Sequence, residues 1–167
     1  ITRLVDMGME AYKLASALRG VIAQRLMRKL CGTCKEVTDQ QAPERLRRYM
    51  PAGAVIYRAL GCPECSMTGY RGRFSVVEVL TMSVQIERLI GAGATAEKIA
   101  VAARANGMRS LFESGLNHVL SGDTSIEELL RVVDVPMTEV PPPRTSAPTE
   151  APRRTSDSAR RTPPSTP

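Results

Sequence analysis

Two short cysteine pairs constrain this chain more than any other feature. Cys31-Gly32-Thr33-Cys34 and Cys62-Pro63-Glu64-Cys65 hold all four cysteines, and 27 residues separate them. Each C-x2-C can wrap two thiolates onto one ion with backbone N–H groups turned toward the sulfurs, and two such knuckles complete a closed tetrahedral zinc site. The chain must then double back so that residues 31 and 65 meet. The gap exceeds the roughly 15 to 20 residues usual in compact zinc sites, so residues 35–61 are expected to form a small subdomain pinned at its base. An iron–sulfur cluster, a disulfide framework, a redox C-x-x-C and unligated core thiols are the alternatives. No secretory signal points to an oxidising compartment, and one redox pair would leave the second unexplained. Four thiolates leave no position open to substrate or water, which makes such a zinc structural and not catalytic.

The rest of the chain is organised around this anchor. Ala11 to Arg19 reads as a helix. Val21 to Leu30 is ambiguous between helix and strand, because Leu14, Leu18, Val21, Ile22 and Leu26 follow helical spacing while Gly20 interrupts it. A short charged helix is expected near Glu44 to Met50, between Pro43 and Pro51, in an excursion from the main core. Arg73 to Leu80 is a β-branched strand. Thr95 can cap a helix that stops at Gly107, a second runs from Met108 to Gly122, and Thr124 with Glu127 offers a capping box for a third. Gly69 and Gly72 fit no phosphate-loop pattern and precede a strand, so their expected work is to turn the chain out of the second knuckle.

Composition changes after Asp134. Nine of the twelve prolines fall between Pro136 and Pro167 with Ser, Thr and Arg, which reads as a disordered tail over residues 135–167. Five Arg against Glu139, Glu150 and Asp157 give that tail +2 of the formal +6, leaving +4 on residues 1–134. Two Phe, four Tyr and no Trp offer little for stacking on bases, so nucleic acid is not favoured. No run approaches the roughly 18 to 20 apolar residues of a membrane-spanning helix. The chain opens on Ile1, and Ile1 to Met9 reads as neither signal nor transit peptide, so a piece of a longer polypeptide is expected.

The string LASALRGVIAQRLMRKLC (Leu14 to Cys31), the two cysteine pairs, GCPECSMTGYRGR (Gly61 to Arg73) with the strand through Val77-Glu78-Val79-Leu80, and NGMRSLFESGLNHVLSGDTSIEELLRV (Asn106 to Val132) resemble the C-terminal part of the type II secretion and type IV pilus assembly ATPases, in the branch that carries the four cysteines. The resemblance implies an α/β fold: the C-terminal part of a RecA-like motor domain, a small four-cysteine zinc subdomain and terminal α-helices, then the tail. It divides the chain into the distal part of the motor core (1–30), a zinc-binding subdomain (31–72), a core strand with C-terminal helices (73–134) and the tail (135–167). It makes Val21 to Leu30 a strand. The parent protein would be a homo-hexamer in the cytoplasm, peripheral to the inner membrane, using ATP and magnesium to drive pilin assembly through a membrane platform protein and other secretion or pilus components. Gln24 and Arg25 would lie beside the motor sheet, where a side chain could sense the nucleotide; Arg25 could reach a phosphate or simply pair with a carboxylate across the sheet. Cys31, Cys34, Cys62 and Cys65 would ligate the zinc.

The chain also departs from such motors. It has no Walker A lysine loop, no Walker B acidic strand and no paired-histidine segment, so no catalytic residue is expected in it and it should not hydrolyse ATP by itself. Two rival readings remain: a stand-alone zinc-stabilised module docking on a secretion platform or motor subunit, and a basic zinc-ribbon that binds nucleic acid. Other side chains read blandly. His118 is expected at a helix end without a catalytic partner. Glu127 and Glu128 point about a hundred degrees apart and complement a helix start. Arg28 has a weaker claim than Arg25 to a nucleotide. Arg71 and Arg73 are expected to be solvated, as are Arg153-Arg154 and Arg160-Arg161 in the tail.

Overall fold

The computed structural model describes residues 1–38 and 42–136, so the expected disordered tail lies almost wholly outside the described residues. Its spine is an antiparallel ribbon of two long strands, β1 (Gly20–Leu30) and β2 (Tyr70–Thr81). The pairing runs from Gly20 opposite Thr81 to Arg28 opposite Arg73, with an irregularity before Leu30 meets Tyr70. Gly72, at φ +81°, supplies the left-handed turn at that bulge. The ambiguity over Val21 to Leu30 therefore resolves to strand. Ile22 and Leu26, which a helical spacing would place in a core, are 69% and 53% exposed, whereas Met27 on the alternate face is fully buried. The governing period is two.

In chain order the helices are α1 (Thr2–Asp6), α2 (Ala11–Ala17), α3 (Glu44–Arg47), α4 (Val84–Gly91), α5 (Ala96–Ala105), α6 (Leu111–Leu120) and α7 (Ile126–Val132). Of these, α6 and α7 pack against the ribbon. Leu14 from α2, Ile86 and Ile90 from α4, and Ile99, Ala102 and Ala103 from α5 close one core. The other gathers Met27 and Val76 from the ribbon with Phe112, Leu116 and Val119 of α6 and Ile126 and Leu129 of α7. Leu46, Tyr49 and Ile56, from the segment expected to stand away from the main core, pack into this second cluster. A small ribbon, Glu36–Val37 against Tyr57–Arg58, closes that segment between the cysteine pairs. The result is the expected α/β arrangement with a four-cysteine element and terminal helices.

Helix ends follow side-chain chemistry, with two corrections. The Thr95 hydroxyl accepts from Lys98 N–H as expected. But α6 starts at Leu111, capped by Ser110, and not at Met108, because Ser110 and Glu113 form a reciprocal capping box. And α7 is capped by Ser125, whose hydroxyl accepts from Glu128 N–H. Thr124 is diverted: its hydroxyl donates to the Arg28 carbonyl on the edge of β1.

Gly115 sits where α6 crosses the ribbon. A Cβ there would lie 2.5 Å from Leu129 Cδ1 and 3.4 Å from the Met27 sulfur. Gly115→Val is accordingly expected to lower unfolding stability by about 2 kcal/mol through overpacking, measured by denaturant titration.

Candidate metal centre

Each cysteine is delivered by an element with a reason to end there. β1 runs directly into Cys31, whose N–H donates to Gly69 O at 2.9 Å, so the two knuckles are stitched together at the ribbon's end. The second knuckle is a single 3-10 turn, Pro63–Cys65, with proline at its first position. Its exit is tight: Ser66 and Met67 have φ of 52° and 63°, and Gly69 follows at +75°. A Cβ on Gly69 would fall 2.6 Å from that of Ala59. Gly69 thus turns the chain out of the knuckle, as its position suggested, although β2 starts at Tyr70 and not at Arg73.

The four Sγ atoms lie within 4.8 Å of one another. Cys31 to Cys62 is 3.9 Å, Cys34 to Cys65 is 3.8 Å and Cys62 to Cys65 is 3.7 Å. All four are free thiols, too far apart to be disulfides. Four sulfurs each about 2.3 Å from one ion would stand about 3.8 Å apart in a tetrahedron, the spacing of these three pairs. The cluster can hold a metal ion.

Electrostatics support the same use. Burial acts against ionising Cys65, yet the N–H groups of Cys62 and Gly69, each 3.2 Å from its sulfur, outweigh it and draw the thiol down to about 6. The Thr33 N–H lowers Cys31. Cys34, by contrast, is pushed up to about 12, chiefly by burial, with its sulfur neighbours adding to the rise. Four thiolates cannot share so small a space without a cation among them. Thr33 Oγ1 donates to Glu64 at 2.8 Å, tying the two knuckles outside the sulfurs, and Arg71 approaches the same carboxylate at 3.6 Å.

A feature absent from the sequence reading lies beside this centre. Glu128 is fully buried and takes Arg28 N–H at 2.9 Å, the Arg28 guanidinium at 2.7 and 2.9 Å, and the Arg131 guanidinium at 2.6 and 2.9 Å. The Arg28 guanidinium also lies 4.0 Å from the centre of the Tyr70 ring, and the Tyr70 hydroxyl bonds Ser125 at 2.7 Å. This latch ties α7 to both strands at the end of the ribbon that leads into Cys31. Burial raises the Glu128 carboxyl, but the bonds from Arg131 and Arg28 overcome it and bring it to about 2. Helix-start charge was the expected role; a carboxylate clasped by two guanidinium groups is the observed one.

The nucleotide-sensing candidates are placed elsewhere. Gln24 and Arg25 sit on β1 opposite Val77 and Val76, exposed, and adjacent residues of a strand face opposite ways. Neither reaches the cysteine cluster. His118 is in the last turn of α6, its Nδ1 2.9 Å from Asp123, which Ser121 also contacts, and its ring rests on Phe74. The helix-end position is the expected one; the Asp123 carboxylate that orients the ring was not expected.

With the geometry in place, similarity to known proteins becomes informative. The sequence model of the family described as type II/IV secretion system protein matches residues 1–131. The type II secretion system protein HxcR of Pseudomonas aeruginosa is 42% identical over 132 residues, covering 79% of this chain and 25% of that protein. The type IV pilus assembly ATPase PilB of Thermus thermophilus is 42% identical over 135 residues, covering 78% of this chain and 15% of its own length. The type II secretion system ATPase E of Vibrio cholerae is 39% identical over 134 residues, covering 79% of this chain and 26% of that protein. The chain therefore spans about a quarter or less of these relatives. Among the described residues, no helix is long and apolar enough to cross a membrane.

Proposed function

From the premise that this chain belongs to the type II/IV secretion system protein family, we propose that it forms the C-terminal portion of a hexameric cytoplasmic ATPase that powers type II protein secretion or type IV pilus assembly. The match over residues 1–131, with likeness to both secretion and pilus motors, is the observation that carries this reading. Residues 1–30 would complete the distal part of a RecA-like motor core, residues 31–72 a zinc-binding subdomain and residues 73–134 the closing strand and helices.

The ribbon itself favours a place in a larger sheet. Arg28 turns both its N–H and its C=O away from β2, toward Glu128 and Thr124. By alternation Ile22, Gln24 and Leu26 turn theirs outward too, where no hydrogen-bond partner meets them among the described residues. Ile22 and Leu26 are exposed on the same stretch. An apolar, unpaired strand edge suits an interior position in a motor sheet. With an upstream strand paired along this edge, Gln24 and Arg25 would lie beside the motor sheet, and Arg25, exposed and without an ion pair among the described residues, would be available to sense a nucleotide.

Cys31, Cys34, Cys62 and Cys65 would hold a structural zinc that fixes the subdomain on the ribbon's end. The hydrolytic machinery, ATP and magnesium belong to the parent protein, whose partners would be a membrane platform protein and other secretion or pilus components. ATP turnover by the full-length protein and by residues 1–136 tests this. The full-length protein is expected to hydrolyse ATP, and the shorter chain to show no turnover above the buffer rate. Turnover by the short chain, or an inactive full-length hexamer, would overturn it.

A further inference from the structure

We propose that the outer edge of β2 is a docking groove for an extended, acidic peptide segment of another protein, held by strand addition. This does not rest on the motor reading. Arg28 faces Arg73 across the ribbon, so the strand partners that turn outward with it are Ser75, Val77, Val79 and Thr81. No hydrogen bond meets their outward N–H and C=O groups among the described residues. Along this edge runs a groove of about 400 Å³, and the β2 residues that line it are Val77, Val79 and Thr81, those whose backbone points outward.

Ser114 and Asn117 of α6 and Asn106 with Gly107, just after α5, line the groove together with this edge. An extended chain between an open strand and a helix wall is a recurrent mode of peptide capture, in which main-chain hydrogen bonds supply affinity and side chains supply choice. Of the outward positions Arg73 at one end is charged, while Ser75, Val77, Val79 and Thr81 carry none of the charges or prolines that natural edges use to repel strands.

Charge selects the occupant. Arg109 is the one charged residue lining the groove; it is exposed and has no ion pair or side-chain hydrogen bond among the described residues. Asn and Ser donors accompany it, and no carboxylate does. A second copy of this chain docking edge to edge would bring Arg109 to a site with no acid to offer it. An acidic segment from a different protein satisfies both the backbone and the guanidinium.

The test uses the full-length, metal-loaded chain and a fluorescein-labelled acetyl-Thr-Val-Thr-Val-Thr-Val-Asp-Glu-amide, read by anisotropy and by amide exchange. Because backbone bonds carry the affinity, saturable binding with a Kd of about 10 to 500 μM is expected. Exchange should slow at least about tenfold at Val77 and Val79. Val79→Pro removes an N–H that points into the groove and not toward β1, so it should keep the melting temperature and weaken binding about tenfold. Ser114→Trp, which fills the groove from α6, should do the same, and Arg109→Glu should transfer preference to a peptide ending in two lysines. No saturation by about 1 mM, equal binding by Val79→Pro and Ser114→Trp, protection at Ile22 and Gln24 instead, or self-association in place of peptide binding would each overturn the proposal.

Discussion

With zinc held at the four cysteines as proposed, its chelation, or Cys65→Ser, is expected to cost this chain at least about 4 kcal/mol of stability, the contribution of a ligand held a thousandfold above its Kd. Cys65 is the most demanding position. Its sulfur accepts the N–H groups of Cys62 and Gly69, so its ligand bond and the turn into β2 depend on each other. Without an ion, four sulfurs within 4.8 Å would have no positive charge among them, and the contact between Cys31 N–H and Gly69 O would work alone. Leu46, Tyr49 and Ile56 lie in the same core as Phe112 and Leu116, so loosening of residues 31–70 should spread to α6 and not stay local. Elemental analysis should find one zinc per chain and calorimetry a large fall in melting temperature on chelation. Acidification should release the ion, because the ligand is thiolate and protons compete for it. Well under one metal per chain, with Cys65→Ser as stable as the parent, would remove the metal centre from this account.

What could be read from the sequence, and what could not, divides by the range of the interaction. That the four cysteines come together was legible because spacing alone limits two C-x2-C knuckles to a few geometries. The glycine exit, the Thr95 cap and the helix-end His118 are local, decided within four or five residues. β1 was not decided locally: its apolar residues satisfy a helical period, and only pairing with β2, some fifty residues away, selects the strand. The caps at Ser110 and Ser125 were misread for a related reason. Thr124 has the right chemistry to cap α7, but it is taken by the Arg28 carbonyl on a strand edge, and the next residue does the work. Helix α4, capped by Ser83, was passed over although its signal was present in Ser83 with apolar Ile86 and Ile90.

Glu128 shows the same limit at higher stakes and supplies the second large effect. Nothing nearby distinguishes it from Glu127, yet Glu127 is exposed and Glu128 is fully buried between two guanidinium groups. Glu128→Gln should destabilise the chain by about 3 kcal/mol, the lower end for breaking a buried pair, because Arg28 and Arg131 keep part of their surface in water. Glu127→Gln should stay within about 0.5 kcal/mol. The pH dependence has a definite sign. An unfolded glutamate titrates near 4.5 and the folded Glu128 at about 2, so its contribution is complete above the first value and lost as pH falls through the second. Acid unfolding of the parent chain should steepen between these values, and Glu128→Gln should flatten that segment of the curve. The two arginines also separate. Arg131→Ala removes a contact within α7, whereas Arg28→Ala breaks the tie between α7 and β1 together with the stacking on Tyr70. Arg28→Ala should therefore speed amide exchange throughout α7, and equal effects of the two substitutions would show that the latch serves the helix alone.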